Sequence, residues 1–203
     1  MPYPAGHREH VRKQIVDSAR RLFNRNGFAS VSVDAIMADA GLTRGGFYTY
    51  FQSKSDLFAE VMGCFFTDPN WAHRWDGVHV DLTSPDAGPQ IVRAYLSRAH
   101  FDDVENSCPM VALPSDVARG DERVKEAFET VFKAMVALFA REVKGATRRT
   151  GDNEAAMAIA ALCIGGMVVA RSMNDDGFAD RLRDAAANAA LKLGGWKKRK
   201  VKE

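Results

Sequence analysis

The chain has little of what staples or anchors a protein. Three cysteines, Cys64, Cys108 and Cys163, form an odd, widely spaced set with no Cys-x-x-Cys, which argues against a disulfide framework or a zinc site. No stretch approaches the roughly 20 consecutive apolar residues of a membrane span, and Met1 to His10 is polar without an apolar signal core. A cytoplasmic protein with no membrane partner is therefore expected. There is no Gly-x-x-x-x-Gly-Lys loop, no Gly-x-Ser-x-Gly, no His-Glu-x-x-His and no dinucleotide fingerprint, so the phosphate-cradling and hydrolytic chemistries of those motifs lack their residues. No enzyme, cofactor or metal is expected. His73 and His79 stand near Trp71 and Trp75, but neither spacing nor neighbouring carboxylates make a metal site of them.

A strong charge of one sign is also missing, since 28 Lys and Arg stand against 26 Asp and Glu for a net charge of +2. The distribution says more. Residues 1–60 hold eight Lys/Arg against six Asp/Glu and the tail from Trp196 holds five against one, leaving an acidic middle between basic ends. Such a pattern suits a chain whose ends approach phosphates. What is plentiful is apolar content, 46% over 203 residues, enough for one domain or two small ones.

That content follows helical spacing throughout, and no strand-like alternation of useful length occurs. Val11, Ile15, Ala19, Leu22 and Phe23 mark a first helix from Val11 to Asn26, ended by Gly27. Ser32 caps a second, with Asp34 in its first turn where the helix dipole favours an acid, and Gly41 closes it. Thr43 caps a short aromatic third helix from Arg44 to about Phe51; Ser53 caps a fourth, with Asp56 three residues on. Thr67 to Pro89 reads as an irregular connection. Further helices are expected over Asp86–Phe101, Pro109–Arg119, Glu122–Lys144, Asn153–Arg171 and Asp175–Leu193. The fold class is all-α, with an N-terminal helix-turn-helix at about residues 31–50.

A helix-turn-helix needs a capped N-terminus to meet phosphates, small residues for close approach and a rigid aromatic backing. The run from Val33 to Phe51, followed by Ser53-Lys54-Ser55-Asp56-Leu57 and preceded by Ile15 to Gly27, closely resembles the DNA-binding domain of the tetracycline-repressor (TetR) family. The resemblance covers about 55 residues. Met37 departs from the alanine usual in that family, and Gly46 from its alanine or small hydroxyl. The family's plan implies a DNA-binding domain at 8–66, an effector-binding and dimerisation domain at 67–195 and a basic tail at 196–203.

By the same resemblance the DNA-contacting set is Ser32, Thr43, Arg44, Gly45, Gly46, Tyr48, Tyr50 and Lys54: phosphate contacts from Ser32, Thr43, Tyr48 and Lys54, base or phosphate contact from Arg44. Read without it, Ser32 and Thr43 are N-caps, and Tyr48 and Tyr50 half-buried packing residues. The implied partners are double-stranded operator DNA, a small-molecule effector and a second copy of the chain, with the effector releasing a repressor. A helical ligand- or partner-binding module without DNA recognition is the rival reading.

An apolar cavity is expected among Phe101, Met110, Leu113, Phe128, Phe132 and Met135, although a Met and aromatic stripe at this spacing also suits a core. Small residues in the last two helices allow close backbone approach. The dimer interface is therefore expected at Ala161, Ile164, Gly165, Met167, Val168, Leu182, Ala186 and Ala189, or else the first of these helices is the buried centre of one protomer. Cys108, just before a helix N-terminus, is either a thiol with redox potential or a structural one. Lys197-Lys198-Arg199-Lys200 is similar in composition to a nuclear-import signal, but it also reads as a solvated tail attracting DNA nonspecifically.

Overall fold

The computed structural model describes residues 6–67, 78–143 and 151–196. His73, Trp71, Trp75, Lys144 and the Lys197–Lys200 run lie outside them. The described elements, with no strand among them, are α1 His7–Asn26, α2 Val33–Asp39, a 3-10 helix Arg44–Thr49, α3 Lys54–Thr67, α4 Ala87–Tyr95, α5 Arg98–Asp102, α6 Pro109–Ala112, α7 Pro114–Arg119, α8 Glu122–Glu142, α9 Gly151–Arg171 and α10 Asp176–Leu193. Three expected helices are corrected. The Asp86–Phe101 helix breaks at Leu96, where Ser97 turns extended and accepts a bond from the His100 N–H, capping α5. The Pro109–Arg119 helix breaks at Pro114, which has no N–H for the helical ladder and disfavours a helical residue before it. The helix after Thr43 is 3-10 in form.

The described residues divide into two compact units that are discontinuous in sequence. The first joins residues 6–67 to Val104–Val131, and the second joins 78–103 to 132–196. A continuous division after residue 66 misses the return of 104–131 to the first unit. The cause is visible on α1: Asn24, 7% exposed, donates to the carbonyls of Glu105 (3.1 Å) and Ser107 (2.9 Å), and Arg20 donates to Glu105 and Asn106. Ile15, Ala19 and Phe23 of α1 then share one core with Leu57, Phe58, Val61 and Met62 of α3 and with Met110, Leu113 and Val117. Phe23, Phe28 and Phe58 form an aromatic triangle with centroids 5.1–6.1 Å apart.

In the second unit α9 and α10 form the main pair, with α4 against both. Over Glu154–Arg171 α9 is apolar and long enough to cross a membrane (mean hydropathy 1.6), contrary to the expectation that no stretch would be. Those residues serve packing: Ala156, Ile159, Ala160, Cys163, Met167 and Ala170 are buried within the unit. Trp196, expected to begin the basic tail, is also core. Its indole donates to the Glu142 carbonyl (2.9 Å) and fills the space where a side chain at Gly88 would stand.

Two adjacent glycines of α9 serve opposite sides. A Cβ at Gly166 would lie 2.7 Å from the Ala186 Cβ and 3.2 Å from Leu96, whereas one at Gly165 meets nothing within 4 Å. Gly166→Ala is accordingly expected to cost about 1–3 kcal/mol in urea denaturation. Gly165→Ala meets nothing within the protomer and should cost clearly less than Gly166→Ala. Equal losses at both positions would contradict close packing at residue 166.

Candidate nucleic-acid interface

Local sequence places each part of the first unit's exposed face. Ser32 is extended, and its Oγ accepts the Ala35 N–H (3.1 Å), as an N-cap should. Asp34 follows in the first turn of α2. Gly41, at φ +69°, makes the left-handed turn that a side chain disfavours, and the chain re-enters as Leu42 donates to the Met37 carbonyl (2.8 Å). Thr43 is extended at the start of the 3-10 helix, but its hydroxyl makes no capping bond. Gly45 and Gly46 weaken the propensity for a full α-helix here, and bonds from Gly46 to Thr43 and from Tyr50 to Phe47 close the tighter i to i+3 rings.

Beneath this ridge Phe47 and Phe51 are buried, as expected of the aromatic backing, while Tyr48 is 66% exposed and stands edge-on to Phe47 at 5.2 Å. Tyr50 is half-buried. Arg44 is exposed and paired with Asp34, Nε to Oδ1 at 2.9 Å and Nη1 to Oδ2 at 3.0 Å. Thr43, Arg44, Gly45 and Tyr48 thus share an accessible ridge. Beside it lies a cavity of about 640 Å³, with Val11, Met37 and Leu42 at its apolar lining and Arg8, Thr43, Gly46, Thr49 and Tyr50 around it. Met37, where the resemblance led one to expect alanine, is a buried packing residue. An added Cβ at Gly46 would meet only its Cε, at an ordinary 3.6 Å.

Lys54 is not on that ridge. Its ammonium donates to the carbonyls of Phe28 (2.8 Å) and Val31 (3.0 Å) and lies 4.4 Å from the Phe28 ring centroid. Burial pulls its pKa below the ordinary lysine value, while the charge of Asp116 acts the other way. Asp116 also accepts the Phe28 N–H (3.1 Å). Lys54 therefore holds the α1–α2 loop, where a phosphate contact had been expected.

Further positioning residues escaped the sequence reading. Arg8 donates to the Thr49 carbonyl (3.3 Å), and Arg12 to that of Tyr50 while pairing with Glu60. Two cations thus meet the carbonyl end of the 3-10 helix, the end its dipole makes negative. Their spacing of four on α1 was the available signal. At the end of α2, Asp39 is held below the usual carboxylate range chiefly by the Ser18 hydroxyl, against desolvation, with Arg21 adding to the lowering.

The other expected sites are divided. Met110, Leu113 and Phe128 belong to the first unit, Phe101, Phe132 and Met135 to the second. Met110 and Leu113 are fully buried as core, and the Phe101 ring lies under the guanidiniums of Arg98 and Arg183. Of the expected interface, Ala161 and Ala189 are exposed, Gly165, Val168 and Leu182 are half-buried, and Ile164, Met167 and Ala186 point into the protomer. Those last three are corrected to core. Met157, Val169, Phe178 and Leu193 of the same two helices are exposed apolar side chains. Cys108 and Cys163 are buried, and burial pushes the Cys163 thiol well up. Among the described residues no group of three or more His, Cys, Asp or Glu is placed to hold a metal.

A helix capped by Ser32 and a 3-10 helix across a glycine turn, braced on an aromatic floor, form a helix-turn-helix. Residues 15–61 match the family model described as "Bacterial regulatory proteins, tetR family". It is 45% identical over 53 residues to the HTH-type transcriptional regulator AcrR of Shigella flexneri, which covers 26% of this chain and 25% of that one. The matched stretch spans about a quarter of the length of the first curated relatives. The fold is similar to that of E. coli NemR in its reduced form (TM-score 0.70, 17% identity, 90% of this chain and 96% of that one). It is similar also to the SmeT–triclosan complex (TM-score 0.60, 22% identity, 90% of each).

Lys54→Met should therefore lower stability by about 1–3 kcal/mol, the worth of its charge-assisted hydrogen bonds, and leave the salt dependence of DNA binding unchanged. A slope shallower by about 0.9 for each phosphate no longer neutralised would restore Lys54 as a phosphate ligand.

Proposed function

We propose that the chain is a sequence-specific DNA-binding transcriptional regulator, a cytoplasmic homodimer without enzymatic activity that represses until a small apolar effector loosens its grip. The observation that carries the reading is the exposed ridge Thr43–Tyr48, with an uncapped hydroxyl, a guanidinium and a phenol above a buried Phe47. The family match over residues 15–61 supports the same use. In this reading Ser32 and Thr43 place a hydroxyl and N–H groups at phosphates, Tyr48 adds a phosphate contact, and Gly45 and Gly46 let backbone approach the duplex. Tyr50 borders the same cavity.

Dimerisation is supported by the outward apolar face of α9 and α10, with Met157, Ala161, Gly165 and Val169 on one helix and Phe178, Ala189 and Leu193 on the other. Two such pairs would make a four-helix bundle about a two-fold axis. The effector is proposed for the second unit, near Phe132 and Met135; a fold neighbour solved with triclosan supports a small apolar molecule.

The test is a fluorescence-anisotropy titration of DNA flanking the chain's own gene, at graded salt, with sedimentation in parallel. A dimer whose affinity falls with salt by about 0.9 per phosphate contact is expected. A monomer that binds no duplex at any salt favours the ligand-binding module. An effector must weaken operator binding and be weakened by operator in equal measure, about 5- to 150-fold; unequal or absent coupling removes the effector from the account.

A further inference from the structure

We infer that Asp34 is a specificity-determining residue of the reading head: it holds the Arg44 guanidinium so that the free edge is offered to a base rather than to the phosphate backbone. The inference rests on the DNA-binding reading above. Arg44 is the one cation in the sequence from Thr43 to Tyr50, and the two residues after it are glycines. A forked contact from this ridge to a base edge must therefore come from Arg44.

Asp34 approaches from α2, ten residues back: its Oδ2 accepts from Nη1 at 3.0 Å, and its Oδ1 lies 2.9 Å from Nε as an ion-pair contact. One charge-assisted bond at Nη1 and an ion-pair contact at Nε restrain where the planar guanidinium lies and leave its Nη2 side outward. The side chains are 72% and 54% exposed, and exposed pairs contribute little to stability. The helix dipole explains an acid in the first turn of α2, but it does not require that acid to pair across the turn.

The pairing has a consequence for DNA. An unpaired arginine swings to any phosphate in reach, and such contacts carry no sequence information. Held by Asp34, the guanidinium keeps its remaining N–H groups on the outer edge, where guanine O6 and N7 accept a fork. The Asp34 carboxylate meanwhile repels phosphates and penalises complexes in which Arg44 does not stand between it and the duplex.

The experiment compares wild type, Asp34→Asn, Arg44→Ala and the double variant on a duplex selected by the wild-type protein and on a scrambled one. Asp34→Asn should tighten the scrambled complex and reduce the selected-to-scrambled ratio by about 5- to 150-fold, the range of one bidentate base contact. Asp34→Glu, which keeps the charge, should restore most of the ratio. In the Arg44→Ala background Asp34→Asn should leave the ratio unchanged. An equal change in both backgrounds would make Asp34 a general charge effect and overturn the inference, as would an unchanged ratio in the single variant of a wild type that discriminates. A wild type that binds neither duplex overturns the DNA-binding reading itself.

Discussion

Lys54 sets its ammonium among the carbonyls of Phe28 and Val31, and the pose of the reading elements follows from that grip. The loop it holds leaves α1 through Gly27, at φ +81°, and a Cβ there would come within 2.9 Å of Asp116. Asp116 accepts the next N–H, so the same turn is held from α3 and from α7. Taking an ammonium partly out of water costs free energy, visible in its depressed pKa, and two charge-assisted bonds with an aromatic face offset that cost. With Val31 fixed, Ser32 is in position to cap α2, and α2 carries Asp34 to Arg44. Segment 104–131 matters to the reading head for this reason: it supplies Asp116.

The helix-turn-helix was legible because its signals are local. Ser32, Gly27 and Gly41 act within one turn of chain, and the structure places them as caps and left-handed turns. The 3-10 form of Arg44–Thr49 was harder to read, since Gly45 and Gly46 weaken an α-helix without naming its replacement. Pro114 was a local signal passed over. The true reach of the first unit was not legible, because Asn24 binds backbone carbonyls at Glu105 and Ser107, and such partners leave no trace in residue type. Lys54 is the same case. Its position matched a phosphate contact, whereas its partners are carbonyls more than 20 residues away.

The second unit shows where periodicity stops being informative. On a helix as uniformly small and apolar as α9, inward and outward residues look alike in sequence. Burial separates Met167 and Ile164 from Met157, Ala161 and Val169, and Gly166 from Gly165. A helix that buries one side within the protomer and leaves an apolar opposite side suits the second copy of the chain proposed above, and two such packing surfaces would account for its membrane-like composition.

The central claim is that the first unit reads duplex DNA with the ridge from Thr43 to Tyr48. Hydroxyl-radical footprinting of the DNA flanking the chain's own gene tests it most directly. The account predicts two protected patches on one face of the duplex, about one helical turn (about 34–36 Å) or an adapted multiple apart, which fade when Tyr48 and Arg44 are both replaced by alanine. Protection that is absent, uniform along the duplex, or unchanged in that double variant would contradict it.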